Sequence, residues 1–280
     1  MSTIADHLAK FERAFGDETV IDHLLADFDG QLPNINAARR PLATIFNAAP
    51  FLRDCAARDL LWFDDVLQRD VAGVCAEIIA STDTAVSDET DELTLRATLR
   101  DNKAKIALVT AVAEVAGAST PADTTRNLAL FADKSIDACL DFLVRETFSA
   151  QGVMLDPDVR PARQSGLVVL ALGKHGGLEL NYSSDIDIVT FFDLENSPLA
   201  ENPRVNRIYE KLVRSLASML QDRDQNGYVF RTDLRLRPDP GSTPVAISTG
   251  AALSYYESRG QNWERAAWIK ARPCAGDIDA

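Results

Sequence analysis

Cysteine, long apolar runs and excess positive charge are all scarce in this 280-residue chain. The four cysteines are far apart and lack metal-ligand spacing, so we expect buried thiols rather than a zinc site or disulfides. No apolar run is long enough to cross a bilayer, and the N-terminus lacks the layout of a signal peptide. We therefore expect a cytoplasmic globular protein with no membrane partner.

The net charge of −13 is distributed unevenly along the chain. Residues 1–159 contain 14 Lys and Arg against 27 Asp and Glu, whereas residues 160–280 contain 15 of each. A surplus of carboxylates repels nucleic acid, so we expect no nucleic-acid partner. Positive charge for binding a nucleotide phosphate would have to come from the second part.

Residues 1–155 are predicted to form a helical region, because apolar residues recur there at spacings of three and four. Caps and glycines mark the ends of the longer segments, with Ser87 before one helix and Gly117 and Gly152 after two of them. No stretch of this region combines the residue types that chemistry needs. We interpret it as a scaffold, with predicted helices over 58–80, 87–117 and 121–152.

The pattern changes after a Pro-rich connector at 156–166, and we predict a second domain over 156–280. Its apolar runs are short and alternate with helical stretches, which indicates an α+β fold with a small mixed sheet flanked by helices. The predicted strands cover 167–172, 185–193 and 227–238, and the predicted helices cover 203–222 and 248–272, the last broken near Gly260.

Two aspartates open the second predicted strand. Asp185 and Asp187 are one residue apart, so on a strand both side chains point to one face while Ile186 and Ile188 point to the core. Neighbouring carboxylates repel each other unless a cation lies between them, and Mg²⁺ suits such a pair. A surface acidic pair is the alternative interpretation.

A third carboxylate lies among arginines on the third predicted strand. Alternation would put Arg231, Asp233, Arg235 and Arg237 on one face, where guanidinium groups can bind phosphate oxygens. An exposed edge strand with solvating charges is the alternative. Together with the first two aspartates, the pattern favours metal-assisted phosphoryl transfer.

Three glycines lie between the first two strands. Gly173 can let the backbone approach a phosphate closely, and a helix that begins there would point N–H groups at it. Lys174 is a candidate phosphate contact or else a solvated loop residue. The stretch is neither a dinucleotide-binding fingerprint nor a P-loop.

These residues carry a resemblance to a known family. The stretches "ALGKHGGLELNYSSDIDIVTFFD", "FRTDLRLRPDPGSTPV" and "YYESRGQNWERAAWIKARP" resemble the motif blocks of the bifunctional glutamine synthetase adenylyltransferase/adenylyl-removing enzymes. The resemblance runs from about residue 165 to 273 and implies a polymerase-β-like nucleotidyltransferase domain. Because family members are much longer and contain two such domains, we expect a fragment. "NWERAAWIKAR" looks more like the N-terminal, adenylyl-removing block.

The resemblance also implies residue roles. Asp185, Asp187 and Asp233 match the catalytic, metal-binding carboxylates, with Mg²⁺ as the cofactor. His175 stands where an apolar residue is expected, and we interpret it as a packing residue. The residues that we expect to bind nucleotide or phosphate are Gly173, Lys174, Ser184, Arg235, Arg237, Lys270 and Arg272. For Lys270 and Arg272, an ordinary position on a surface helix is the alternative.

The implied reaction is phosphorolysis, in which phosphate removes AMP from an adenylylated tyrosine of glutamine synthetase and releases ADP. The implied partners are therefore glutamine synthetase, phosphate and ADP or ATP, with a PII-type signal protein as regulator. Two alternatives remain: the reverse reaction, which attaches AMP from ATP, and a domain that binds glutamine synthetase without catalysis.

Overall fold

The computed structural model describes residues 2–11, 16–26, 28 and 30–278. Contacts between residues divide the chain into two compact units, one of residues 1–80 and 101–128 and the other of residues 81–100 and 129–280. The functional boundary that we expect near residue 155 stays a prediction.

The first unit is helical in its described part. Side-chain caps begin several helices: Thr3 and Asp6 form a reciprocal capping box, and Asp59 accepts from Trp62 N at 3.0 Å. The helices are α1 (Ile4–Leu8), α2 (Thr19–Leu25), α3 (Pro33–Ala37), α4 (Arg39–Ala48), α5 (Pro50–Ala56), α6 (Leu60–Val66) and α7 (Val71–Asp83).

The prediction of one helix over 58–80 is wrong, because that stretch holds α6 and α7 with a break between them. Asp70 accepts a hydrogen bond from Gly73 N at 2.9 Å and so caps the start of α7. An acidic residue inside an apolar periodic segment can begin a new helix, and periodicity does not reveal it.

Two long helices, α8 (Glu92–Ala116) and α9 (Pro121–Ala150), contribute residues to both units. The predicted stops are confirmed, since Gly117 and Gly152 follow the helices with φ of 75° and 72°. At the start of α9, Thr120 Oγ1 accepts from Asp123 N at 3.2 Å while Asp123 Oδ2 accepts from Thr120 N at 3.0 Å.

The second unit contains a small mixed sheet, as predicted. The described strands are β1 (Leu167–Ala171), β2 (Ile186–Phe192), β3 (Thr232–Asp233), β4 (Ala246–Ser248) and β5 (Arg272–Gly276). Their order is β3-β2-β1-β5, and β4 also pairs with β2. β1 is antiparallel to β2 and to β5, whereas β3 and β4 run parallel to β2.

The two faces of β2 have different surroundings. Ile186, Ile188 and Phe192 belong to one face and are buried, with the ring of Phe192 stacked 4.4 Å from that of Tyr209 on α11 (Val205–Gln221). The other face carries Asp187 and, farther along, residues that pack against the C-terminal helices. The alternation predicted for β2 is therefore confirmed.

The predicted strand over 227–238 is wrong in its length, because only Thr232–Asp233 pairs as a strand. Asp233 Oδ1 accepts from Arg235 N at 2.8 Å, an aspartate turn that bends the chain away from β2. The shared face predicted for residues 231–237 is lost with the strand.

The C-terminal segment contains α12 (Thr249–Ser258), α13 (Asn262–Ala267), a 3₁₀ turn (Trp268–Lys270) and β5. The predicted break near Gly260 is confirmed, and Ser248 caps α12 by accepting a hydrogen bond from Ala251 N. Lys270 and Arg272 do not lie on the last helix as predicted, since Lys270 ends the 3₁₀ turn and Arg272 begins β5. Among the described helices, none combines the length and apolarity that a bilayer crossing requires.

Candidate active site

The glycine turn, residues 172–177, connects β1 to the segment before β2. It contains one helical turn, α10 (Gly173–Gly176), closed by a 2.8 Å bond from Gly176 N to Leu172 O. Gly173 has φ of 55°, in the left-handed region that glycine adopts without strain. Gly176 is packed so tightly that a Cβ there would lie 2.1 Å from the carbonyl oxygen of Lys270.

Asp187 lies directly against this turn. A Cβ added to Gly173 would lie 2.4 Å from Asp187 Oδ2, closer than any real contact allows. A backbone hydrogen bond also holds the turn next to β2, because Leu172 N donates to Asp187 O at 2.9 Å. The glycine is therefore needed both for its conformation and for the space that the carboxylate occupies.

Parallel pairing brings the third carboxylate to the second. Asp233 of β3 is the register partner of Asp187 of β2. Both Asp233 oxygens accept from Arg235, with Nη2 at 2.5 Å from Oδ2 and Nε at 3.0 Å from Oδ1. The Arg235 side chain is 83% exposed, so its guanidinium faces solvent beside the carboxylates.

Asp185 is exposed at the start of β2 and has its own arginine. Arg231 Nε donates to Asp185 Oδ1 at 2.5 Å, and Arg231 Nη2 donates to Ser183 O at 2.7 Å. This guanidinium joins the segment before β3 to the one before β2. The structure thus brings together the predicted catalytic residues Asp185, Asp187 and Asp233.

The pKa values of Asp187 and Asp233 are shifted in opposite directions. Burial, followed by the charges of Asp233 and Asp185, raises the pKa of Asp187. The hydrogen bond from Arg235 is the largest cause that lowers the pKa of Asp233. The metal-free site therefore stabilises the charge of Asp187 less than that of Asp233, and a bound cation would relieve that cost.

The remaining predicted ligands divide into two groups. Lys174 is exposed on the glycine turn, and Lys270 lies beside the turn, where its Nζ donates to Glu179 at 2.5 Å. Ser184 immediately precedes Asp185 and is partly buried. These three residues lie on or next to the segments that carry the carboxylates.

Arg237 and Arg272 are instead bound by protein groups. Arg237 donates to the carbonyl oxygens of Leu234 and Pro240 at 2.8 and 2.6 Å, which closes the loop after β3. Arg272 binds both oxygens of Asp133, at 2.7 and 2.9 Å. Neither guanidinium is directed at the carboxylates in these contacts.

The carboxylates have the chemistry that Mg²⁺ requires. Mg²⁺ is commonly held by one or two carboxylates together with waters and substrate phosphates, and Asp185 and Asp187 supply two. Within the described residues, the group with potential ligand atoms all within 4.8 Å of one another is a different one, Asp133, His175 and Cys274. The three aspartates therefore fit a metal shared with substrate better than a closed protein site.

An open apolar cavity of about 500 Å³ lies on the same face of the sheet as Asp187 but farther along β2. Phe191 and Trp268, whose rings stack at 5.8 Å, line it together with Tyr256 and Leu253. Its walls offer few polar groups, so the cavity lacks the side chains that phosphoryl transfer would need.

Comparison with known proteins identifies the family. Residues 40–280 match the family model described as glutamate-ammonia ligase adenylyltransferase. The chain belongs to this adenylyltransferase family. It is a family of nucleotidyltransferases, and the three aspartates and the glycine turn all lie within the matched range.

Similar members of the adenylyltransferase family are named bifunctional glutamine synthetase adenylyltransferase/adenylyl-removing enzymes. One from Mesorhizobium japonicum is 46% identical over 85% of this chain and 24% of its own length. Relatives from Agrobacterium fabrum and Xanthobacter autotrophicus are each 42% identical, over 85% and 90% of this chain. The chain spans about a quarter of the length of these relatives.

Two features of the site in this family member could not be found from sequence spacing. Arg231 was assigned to the face of Asp233 but pairs with Asp185. His175 was correctly interpreted as a buried packing residue, yet its partner Asp133 lies 42 residues earlier in the region that we predicted to be a scaffold. Aspartates recur every four residues at this point of α9, which is the one signal that the sequence offered.

Proposed function

We propose that this chain removes AMP from an adenylylated tyrosine of glutamine synthetase by phosphorolysis and releases ADP. The observation that carries the proposal is the cluster of Asp185, Asp187 and Asp233 against the glycine turn, in a member of an adenylyltransferase family. The relatives' printed names include both attachment and removal of the adenylyl group. The resemblance of residues 262–272 to the N-terminal block favours removal.

In the proposed reaction, an oxygen of inorganic phosphate attacks the phosphorus of tyrosyl-AMP. The new P–O bond forms ADP while the bond from phosphorus to the tyrosine oxygen breaks, and the phenolate takes up a proton to regenerate tyrosine. Phosphate is a good nucleophile at neutral pH, so positioning and charge stabilisation supply most of the rate.

The aspartates would hold the cofactor. Asp185 and Asp187 would bind Mg²⁺, with Asp233 completing a second site or orienting the phosphate. Mg²⁺ supplies charge neutralisation at the phosphoryl oxygens and at the leaving oxygen when it is bound. Asp187, with its raised pKa, would have to be ionised in this state.

Basic residues near the carboxylates would bind the phosphate groups. Arg235 is well suited, because its exposed guanidinium can leave Asp233 for a phosphate without crossing buried structure. Lys174 and Lys270 lie on and beside the glycine turn and are further candidates, as is Ser184. Arg237 and Arg272 remain in the proposal as residues that shape the site from the loop after β3 and from β5.

The reverse reaction is the second candidate, because the relatives' names also include the adenylyltransferase activity. It would use ATP as the donor and tyrosine as the nucleophile at the same carboxylates, and it would release pyrophosphate. For either direction the protein partner is glutamine synthetase, and a PII-type regulator is a further proposal from the resemblance. A domain that binds glutamine synthetase without catalysis would release neither product.

The deciding experiment incubates the 280-residue chain with adenylylated glutamine synthetase, Mg²⁺ and phosphate, and measures ADP by chromatography. We expect phosphate-dependent ADP release. Pyrophosphate from ATP and unmodified glutamine synthetase, without ADP in the first assay, would reverse the direction. Release of neither ADP nor pyrophosphate would contradict catalysis by this chain and favour the binding-only alternative.

Substitutions of the proposed metal ligands test whether the activity depends on the candidate site. Asp185→Asn and Asp187→Asn should each lower ADP release by at least 10³-fold, since each removes a proposed metal ligand. Asp101→Asn is a suitable control, because its partly exposed side chain forms an ion pair with Lys105 one turn along α8 and belongs to the first unit. Circular dichroism would establish that all three variants fold. Activity within tenfold of the unsubstituted chain in both Asp185→Asn and Asp187→Asn would overturn the assignment.

A further inference from the structure

A row of buried aspartates follows one face of α9. Asp133, Asp137 and Asp141 are four residues apart, and each is buried in the second unit. Each carboxylate binds an arginine from later in the chain: Asp133 binds Arg272, Asp137 binds Arg163 and Asp141 binds Arg160. The row therefore anchors two segments of the second unit, residues 160–163 and β5, to one helix.

Asp133 is the member of this row that contacts the glycine turn. Its Oδ1 lies 2.8 Å from His175 Nε2, and His175 is fully buried within the turn. Arg272, held by both oxygens of Asp133, also donates to the carbonyl oxygens of Gly176 and His175, at 3.2 and 3.4 Å. Asp133 thus contacts one side chain of the turn directly and, through Arg272, two of its backbone carbonyl groups.

The imidazole depends on Asp133 for its orientation. Among the described residues, His175 Nδ1 is buried without a hydrogen-bond partner, so the ring is held by its bond to Asp133. Asparagine at this position would keep a polar group beside the ring but would remove the charge that strengthens this bond and that binds Arg272, so both contacts would weaken and the turn could move.

The turn has no room for such a movement without disturbing the site. Gly173 and Asp187 are in close contact, and Gly176 is packed against the carbonyl oxygens of Lys270 and Ala171. A shift of the turn by a fraction of an ångström would move the backbone next to Asp187. Reactions that depend on positioning are sensitive to displacements of this size.

Cys274 lies close to Asp133 and His175, so these three residues also have the composition of a metal site. However, both oxygens of Asp133 already accept hydrogen bonds from Arg272, whose positive charge neutralises the carboxylate. These contacts are typical of a structural ion pair that fixes the position of the turn.

We propose that Asp133, acting through His175 and Arg272, is a positioning residue that holds the glycine turn against Asp187 for nucleotide binding. This inference rests on the proposed function for its nucleotide. Asp133 does not touch the carboxylate cluster itself, so its loss should weaken nucleotide binding, which depends on the turn, more than it weakens the binding of a metal ion to the aspartates.

Asp137 provides a matched control on the same helix. It is as deeply buried as Asp133 and binds a guanidinium in the same way, at 3.0 Å from Arg163. Its other contacts are with Arg160, at 3.4 Å, and with the backbone N–H of Gly276 at the end of β5, and they do not include the glycine turn. Asp137→Asn should therefore disturb packing to a similar extent without releasing the turn.

The test measures three quantities on the 280-residue chain, well below each variant's unfolding temperature. For Asp133→Asn we expect amide exchange of residues 173–177 to become at least tenfold faster, and the Kd for ADP in Mg²⁺ to rise about tenfold. The affinity for Mn²⁺ without nucleotide, followed by electron paramagnetic resonance, should change less than twofold. Asp137→Asn should leave turn exchange and ADP affinity within twofold of the unsubstituted chain.

His175→Leu keeps the pair of Asp133 with Arg272 and tests the same link if Asp133→Asn does not fold. We expect turn exchange to become at least threefold faster in this variant. Unchanged exchange at 173–177 in a folded variant, or an equal loss of ADP affinity in Asp137→Asn, would overturn the inference. If the unsubstituted chain binds no ADP, the proposed function fails, and the exchange rates still decide whether Asp133 holds the turn.

Discussion

Gly173 affects both the backbone conformation of the glycine turn and the position of the Asp187 carboxylate. It has a positive φ of 55°, and its missing Cβ is the space taken by Asp187 Oδ2. A side chain at this position would therefore meet two separate penalties, one from the backbone conformation and one from the collision.

Gly173→Ala should lower both stability and activity. The left-handed conformation costs a non-glycine residue about 1–2 kcal/mol, and the collision would in addition displace Asp187. Gly152→Ala is the control, because Gly152 has φ of 72° but nothing within 4 Å of an added Cβ. We expect both variants to lose stability in urea titrations, and only Gly173→Ala to lose more than tenfold in ADP release. Equal activity in the two variants would refute the contact with Asp187.

The pKa of Asp187 predicts how the stability of the metal-free chain depends on pH. Burial and the charges of Asp233 and Asp185 raise this pKa above the model-compound value of 3.8. The folded chain then binds the proton more tightly than the unfolded chain does. The contribution of Asp187 to the free energy of unfolding is thus most favourable at low pH and declines as pH rises through the raised pKa.

Asp187→Asn should therefore stabilise the metal-free chain at pH 7. Each kcal/mol gained corresponds to a rise in Tm of roughly 2–4 °C in a chain of this size, and the gain should disappear near pH 3. Asp233→Asn is the opposite case, because the hydrogen bond from Arg235 lowers the pKa of Asp233. The stability that the ionised Asp233 contributes is present at pH 7 and is lost as pH falls through that lowered pKa. Thermal unfolding should show opposite signs for the two variants at pH 7; equal signs would contradict the assigned electrostatics.

At the scale of secondary-structure elements, Glu264 joins three segments near the C-terminus. Its fully buried carboxylate accepts from Gln261 N at 2.6 Å, which caps α13, and from Tyr255 Oη at 2.9 Å on α12. It also accepts from Asp239 N at 3.4 Å, in the loop after β3.

Glu264→Leu should cost about 1–3 kcal/mol of unfolding free energy, because it leaves the donors of three partly buried hydrogen bonds without their acceptor. Tyr255→Phe removes one of these bonds and keeps the cap, so a smaller loss than that of Glu264→Leu is expected. Urea titration measures both values. A Tyr255→Phe effect as large as that of Glu264→Leu would show that the tyrosine contact, and not the shared carboxylate, stabilises the junction.

The strand β3 is very short, yet its pairing with β2 is sufficient to position one carboxylate of the candidate site. Two residues pair with β2, enough to bring Asp233 beside Asp187. The aspartate turn and the Arg237 bonds to loop carbonyls then direct the chain away. The alternation over 231–237 therefore predicted a carboxylate that the structure places beside Asp187, and an incorrect arrangement of the arginines around it.

For the whole molecule, the proposed metal site predicts a ligand effect on stability. A cation that binds the folded chain and not the unfolded one raises the unfolding free energy by about 2.7 kcal/mol at 100 times its Kd. We expect Mg²⁺ to raise Tm, and Asp185→Asn with Asp187→Asn to abolish the rise. NaCl at equal ionic strength is the control, since the chain carries a net charge of −13 that any salt screens. The same increase with NaCl would argue against a specific site.

Short-range order in this protein could be predicted from residue patterns. Helices α8 and α9 follow from apolar spacing and end at glycines, and β2 follows from the alternation around Asp185 and Asp187. These features depend on neighbours a few residues apart, which the sequence displays directly. The resemblance of the motif blocks then identified the family and the three carboxylates.

The partners of the arginines and of His175 were decided by tertiary structure. Arg231 binds Asp185 across 46 residues, Arg272 binds Asp133 across 139, and His175 reaches the same Asp133 across 42. Spacing along the chain carries no information about such pairs, because a guanidinium can bind any carboxylate that the fold brings near it. Residue types therefore predicted the chemistry of the site, while packing of α9 and the sheet determined which charges remain available to a phosphate and which are used to hold the turn.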